Sequence, residues 1–162
     1  MEKHTLKLLD KESDVRRLAM DCLARQECTR KQLFDKIKRR CDNHELINSV
    51  LDYMESEGYQ SDQRFAASFV RSRSERGQGV RKISFELKRK GICDDLIREV
   101  FETQPVDSKQ RALDYVRRKY GEEPPCDKKA HAKWVRHLAG RGFNFDEIKY
   151  ALRYQIQDPE MD

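Results

Sequence analysis

"KGICDDLIREV" (Lys90–Val100) and "RGFNFDEIKYAL" (Arg141–Leu152) are two versions of one pattern. Each runs basic residue, glycine, apolar residue, then a helix with apolar and acidic positions. Gly91 and Gly142 lie 51 positions apart. The helix opening at Thr29 and the helix opening at Gly79 lie 50 apart. A period near 50 with room for three helices predicts a tandem helical array. One such unit buries its apolar faces poorly alone, and neighbours complete the core.

The rest of the chain carries the same helical period. Val15, Leu18, Ala19, Cys22 and Leu23 form one stripe. "TRKQ" (Thr29–Gln32) is a capping-box pattern, followed by Leu33, Phe34 and Ile37. Leu46, Ile47, Val50, Leu51 and Met54 form a stripe that stops near Gly58. Ser61 or Asp62 can cap a helix burying Phe65, Ala66, Phe69 and Val70. "GVRKISFELKRKGI" (Gly79–Ile92) buries Val80, Ile83 and Leu87 and ends at Gly91, a residue suited to a left-handed cap. Asp94 can cap a helix with Leu96, Ile97, Val100 and Phe101. Ala112, Leu113 and Val116 precede the loop Gly121–Pro125. Trp134, Val135 and Leu138 lie on a helix stopped by Gly142, and Ile148, Ala151 and Leu152 lie on the last.

The expected fold is all-α: about nine helices in three tandem three-helix repeats forming an elongated, curved array. The expected boundaries are 1–14 for an N-terminal extension, 15–60, 61–106 and 107–156 for the repeats, and 157–162 for a frayed tail. Composition agrees with a thin molecule. Charged residues make up 39% and apolar ones 37%, against about 25% and about 45–50% in a typical soluble domain.

Charge follows the repeat. Arg64 to Lys90 holds nine Lys or Arg and two Glu, a net of +7, which exceeds the +5 of the whole chain. Arg25 to Arg40 holds seven basic and two acidic residues, while Cys41 to Gln63 holds six acidic and no basic ones. Separated patches of this kind suit a polyanion, or a partner with alternating charge. The candidate surface is Arg71, Arg73, Arg76, Arg81, Lys82, Phe85, Lys88 and Arg89. Arg25, Arg30, Lys31, Lys38 and Arg39 form a second basic patch, with plain solubility as the alternative role. Phe85 falls opposite the apolar stripe of its helix. In a repeat array a neighbouring helix can cover it, which is the favoured reading; the alternative is an exposed aromatic anchor ringed by cations. Trp134 shares a stripe with Val135 and Leu138 and is expected in the core.

No catalytic arrangement stands out. There is no Ser-His-Asp set, phosphate loop or carboxylate metal cluster. His4, His44, His131 and His137 are scattered. The five cysteines (Cys22, Cys28, Cys41, Cys93, Cys126) are odd in number and lack a CxxC pair, which predicts reduced thiols. Cys126, His131 and His137 fit no common metal spacing. No cofactor, metal or membrane span is expected. The start "MEKHTLKLLDKESD" lacks a secretory apolar segment, and the expected compartment is the cytoplasm.

The ordered motifs resemble the RecX family of recombination regulators. The resemblance is strongest over Arg64–Ile92, at Arg64, Phe65, Arg73, Arg76, Gly77, Gly79, Ile83, Glu86, Leu87, Lys90, Gly91 and Ile92. "LARQECTRKQL" (Leu23–Leu33), "MESEGYQSD" (Met54–Asp62) and "HLAGRGFNFDEI" (His137–Ile148) support it, and coverage runs from about Val15 to Tyr154. The chain departs from the family pattern at Gln78, Val80, Ser84 and Phe85, where an aromatic, proline, arginine and a polar residue are usual. The resemblance implies a monomeric, non-enzymatic regulator with three three-helix repeats. It would bind the RecA filament on single-stranded DNA in its groove, touching DNA directly or not. It would limit filament extension, ATP hydrolysis, strand exchange and SOS induction. A direct, non-specific DNA-binding helical module is the alternative.

Overall fold

The computed structural model describes residues 7–153. His4, the end of the third expected repeat and the 157–162 tail lie outside them. Among the described residues there are nine helices and no strand: α1 (Glu12–Arg25), α2 (Arg30–Ile37), α3 (His44–Ser56), α4 (Asp62–Glu75), α5 (Val80–Arg89), α6 (Asp94–Thr103), α7 (Ser108–Tyr120), α8 (Lys128–Gly140) and α9 (Phe145–Arg153). The all-α expectation holds, helix by helix.

The caps explain several of the boundaries. The capping box forms at α2: Thr29 Oγ1 accepts from Gln32 N–H and Gln32 Oε1 accepts from Thr29 N–H. These pairings satisfy backbone donors that a helix start otherwise leaves open. Asn43, Asp107 and Asp127 cap α3, α7 and α8 by the one-way form, each side chain accepting a single N–H three residues on. Ser61, rather than Asp62, caps α4, its hydroxyl accepting from Arg64 N–H at 3.1 Å. Asp62 instead accepts from Arg30 N–H at 2.8 Å and from the buried Gln60 side chain at 2.9 Å. Asp94 is also displaced from its expected cap role. It opens the first turn of α6, and its carboxylate lies 2.7 Å from Lys88 Nζ.

The chain divides into two compact units. One holds residues through Ala66 with Arg89–Cys93, the other Ala67–Lys88 with residues from Asp94 onward. In the first unit, Val15, Ala19, Leu33, Ile37, Ile47, Val50, Leu51 and Met54 form a buried core from α1, α2 and α3. Thr29 is buried there, and its hydroxyl donates to the Lys90 carbonyl at 2.6 Å. In the second unit, Ala112, Leu113, Val116, Leu138, Phe143, Ile148, Ala151 and Leu152 form the core between α7, α8 and α9. Trp134 packs against this core but stays half-buried, its indole stacked on Tyr120 with centroids 4.0 Å apart.

The repeated glycines have a packing reason. Both adopt positive φ, +92° at Gly91 and +95° at Gly142, which costs other L-residues about 1–2 kcal/mol. A Cβ on Gly91 would meet the Lys31 side chain at 2.5 Å; one on Gly142 would overlap the Lys82 side chain and lie 2.6 Å from its backbone nitrogen. Lys31 and Lys82 are, like the glycines, 51 positions apart. The same backbone-to-helix approach therefore occurs in both units. Gly140, by contrast, has open space around its Cα. We expect Gly142→Ala to destabilise the fold by on the order of 3 kcal/mol, from left-handed strain plus overpacking. Gly140→Ala should stabilise by about 0.5 kcal/mol through helix propensity. Urea denaturation of the two variants checks both signs, and equal midpoints would remove the close-packing account.

Candidate binding surface

Helix α5 displays the central part of the candidate surface because Ile83 and Leu87 are fully buried on its other side. Arg81, Phe85 and Lys88 follow at i, i+4 and i+7 and share one face. All three are exposed, Phe85 at 60%. The favoured expectation that a neighbouring helix covers Phe85 is therefore wrong. The buried stripe of α5 is narrow, and position 85 lies about half a turn from it.

The remaining candidates divide by what holds them. Arg73 stands over the Phe69 ring at 4.9 Å and lies 4.0 Å from Glu86, so much of its charge is turned inward. Lys82 is half-buried beneath Gly142. Arg71 is exposed at a cleft of about 500 Å³ that also holds Glu75, Asp107 and Asp114. Arg76 is exposed while its carbonyl accepts from Arg141 Nη2 at 2.7 Å. Arg89 is exposed but belongs to the first compact unit with Lys90–Cys93.

Arg141 positions the start of α5. Its Nε donates to the Gly77 carbonyl at 3.1 Å, and its own carbonyl accepts from Gly79 N–H at 2.8 Å. The guanidinium also covers the Tyr115 ring, 4.8 Å from its centroid. Tyr115 in turn sits 2.7 Å from His137 Nε2 through its hydroxyl. Burial, with Lys119 and Arg141 nearby, holds the His137 pKa below the usual histidine value.

The second patch is largely neutralised. Arg30 Nη1 lies 2.7 Å from Asp52 and 2.6 Å from Glu55. Burial opposes its charge, but these two carboxylates prevail and raise its pKa. Lys31 and Lys38 each lie 2.9 Å from Asp35, whose pKa they lower. Arg25 and Arg39 are exposed. The patch is thus mostly a set of internal ion pairs, the first of which holds α2 to α3.

Two features escaped the sequence reading. Phe145, at the start of α9, is 73% exposed with Lys149 Nζ 5.9 Å from its ring centroid. Helix α8 contains Lys128, Lys129, Lys133 and Arg136 and no acidic residue. All four are exposed. Counting charge helix by helix, rather than over long windows, finds the second; no sequence signal marks the exposure of Phe145. Among the described residues no group of His, Cys, Asp and Glu could hold a metal, and no helix is long and apolar enough to cross a membrane.

Nine helices in tandem three-helix units, with basic faces on α5 and α8 and exposed aromatic rings at Phe85 and Phe145, define an all-helical repeat protein. Comparison with known proteins gives the family. Residues 61–100 match the second three-helix domain of RecX, and residues 107–152 match the third. The Regulatory protein RecX of Chromohalobacter salexigens is 38% identical over 84% of this chain and 89% of its own. That of Halorhodospira halophila is 37% identical over 90% of this chain and 91% of its own. The crystal structure of RecX from Lactobacillus salivarius shares the fold, with TM-score 0.74, 19% identity and coverage of 90% and 96%. The chain belongs to the RecX family of regulatory proteins.

His137 generates a pH prediction. Its folded pKa lies below its unfolded value, near 6.5. Above that value both states are neutral and the stability is complete. As pH falls below it, the unfolded state binds the proton first and stability declines. The decline levels off once pH passes below the folded pKa. We expect the melting temperature to drop from pH 7.5 to 5.5, and His137→Gln to flatten part of that slope. An identical slope in the variant would remove His137 as the cause.

Proposed function

We propose that this chain binds the RecA filament on single-stranded DNA in its groove and inhibits filament extension. ATP hydrolysis, strand exchange and SOS induction fall with it. The protein acts as a cytoplasmic monomer and catalyses no reaction. Family membership supports the regulatory role. The observation that carries the site is Phe85, 60% exposed on α5 between Arg81 and Lys88. An aromatic ring surrounded by cations is the usual anatomy of an interface hot spot, where the ring supplies desolvation energy and the rim supplies steering. The tandem domains add to this. Weak contacts joined in one chain raise one another's effective concentration.

The test is RecA ATP hydrolysis on single-stranded DNA, with this protein added well below the RecA concentration. Strong inhibition is expected. Phe85→Ala should weaken it about tenfold, equivalent to ~1.4 kcal/mol. Arg81→Glu with Lys88→Glu should abolish it while the helical circular dichroism is unchanged. Full inhibition by the folded double variant would rule out this face. Inhibition that begins only when the protein saturates the DNA would favour the direct DNA-binding reading.

A further inference from the structure

Helix α8 carries a surface of a different kind from α5. Its inner side is anchored: Leu138 is fully buried, Val135 packs on the same core and Trp134 stacks on Tyr120. With that side fixed at 100° per residue, Lys129, Lys133 and Arg136 fall on the opposite side, at i, i+4 and i+7. They form a straight row about 10 Å long. No hydrogen bond or ion pair engages any of them among the described residues, and α8 has no acid to provide one. Several basic side chains elsewhere do meet carboxylates, as Arg30, Lys31, Lys38 and Lys88 do.

The chemistry of the occupant follows from what the row lacks. The exposed large apolar side chains of the described residues are Leu8, Met20, Tyr59, Phe85 and Phe145, and none is on α8. A protein partner would find no ring or aliphatic anchor there. Lysine is also depleted in protein–protein interfaces. Uncompensated cations in a row without an apolar centre suit a regularly spaced polyanion, whose counterions they release.

We propose that the Lys129–Lys133–Arg136 row of α8 is a contact site for the phosphate backbone of a nucleic acid strand. This site is separate from the α5 face and does not depend on the role proposed for it. Lys128 is exposed in the first turn of α8 and adds charge outside the row. The contact reads no sequence, because phosphate contacts position a strand without specifying its bases.

The experiment needs no RecA. A fluorescein-labelled oligothymidylate of 30 nucleotides is titrated with the full chain, and anisotropy is followed from 50 to 200 mM salt. Each phosphate contact on a single strand contributes about 0.7 to the slope of log K against log salt. Lys129→Gln, Lys133→Gln and Arg136→Gln together should weaken binding at least tenfold at 50 mM salt and lower the slope by about 2. The melting temperature of the triple variant shows that it is folded. Glutamine keeps the helix and removes only the charge, and Lys129→Gln with Lys133→Gln alone serves if the triple variant melts early. Arg81→Glu with Lys88→Glu should bind the oligonucleotide within about threefold of wild type. An unchanged slope in the folded α8 variant would overturn the proposal, as would no wild-type binding at 50 mM salt. Equal loss in the α5 and α8 variants would do so too, because it would mean only diffuse attraction.

Discussion

A basic residue three positions before the cap of each repeat's third helix offers its backbone carbonyl to an earlier segment, and the fold is assembled around that joint. The Arg40 carbonyl accepts from Leu9 N–H at 2.6 Å, and the Arg141 carbonyl accepts from Gly79 N–H at 2.8 Å. The Lys90 carbonyl accepts from the Thr29 hydroxyl at 2.6 Å. Each bond contributes only about 1 kcal/mol net. What it fixes is larger. At Lys90 and Arg141 the next residue is a glycine, and the turn sinks onto a helix as no residue with a Cβ could. Leu9 takes the equivalent part for the first of these carbonyls, and it packs on the first core.

The joint was legible in the sequence as a period, and opaque as a mechanism. The 51-residue spacing of Gly91 and Gly142 and the capping pattern at Thr29 were visible because each depends on local backbone chemistry. That Lys31 and Lys82 lie beneath those glycines was not, since it is a long-range contact between ordinary residues. Gln60 shows the same limit. A glutamine in a polar loop reads as solvated, yet it is buried and donates to the Cys28 carbonyl at 3.2 Å and to Asp62. Asp94 was misplaced by one helical position, because a capping residue and a first-turn acid have nearly the same sequence signature.

The candidate surface was legible as charge and illegible as exposure. A window net of +7 marks where cations are dense. It does not separate Arg81, which faces solvent, from Arg73, which is turned onto Phe69 and Glu86. The second patch fails for the same reason, its carboxylates being supplied partly by α3, a different helix. Charge on α8 was overlooked because its cations fall in a region whose apolar residues, Trp134 above all, drew the reading toward the core. Phe85 was misread through a fold-level argument. Repeat arrays bury the middle helix on two sides only when both stripes are apolar, and on α5 just one is.

Arg141 gives the two basic faces a fixed relation. It follows the last residue of α8, so its backbone continues that helix's final turn. Through Gly77 and Gly79 it also sets where α5 begins. The end of one helix is thus bonded to the start of the other, within one compact unit. A flexible connection would make a strand on α8 and a protein surface on α5 independent ligands, each with its own ordering cost. A bonded connection removes most of that cost for whichever binds second. Were both proposed contacts made, the protein would gain by holding the two faces in one compact unit. The guanidinium over Tyr115, held against His137, ties this connection to the core beneath it.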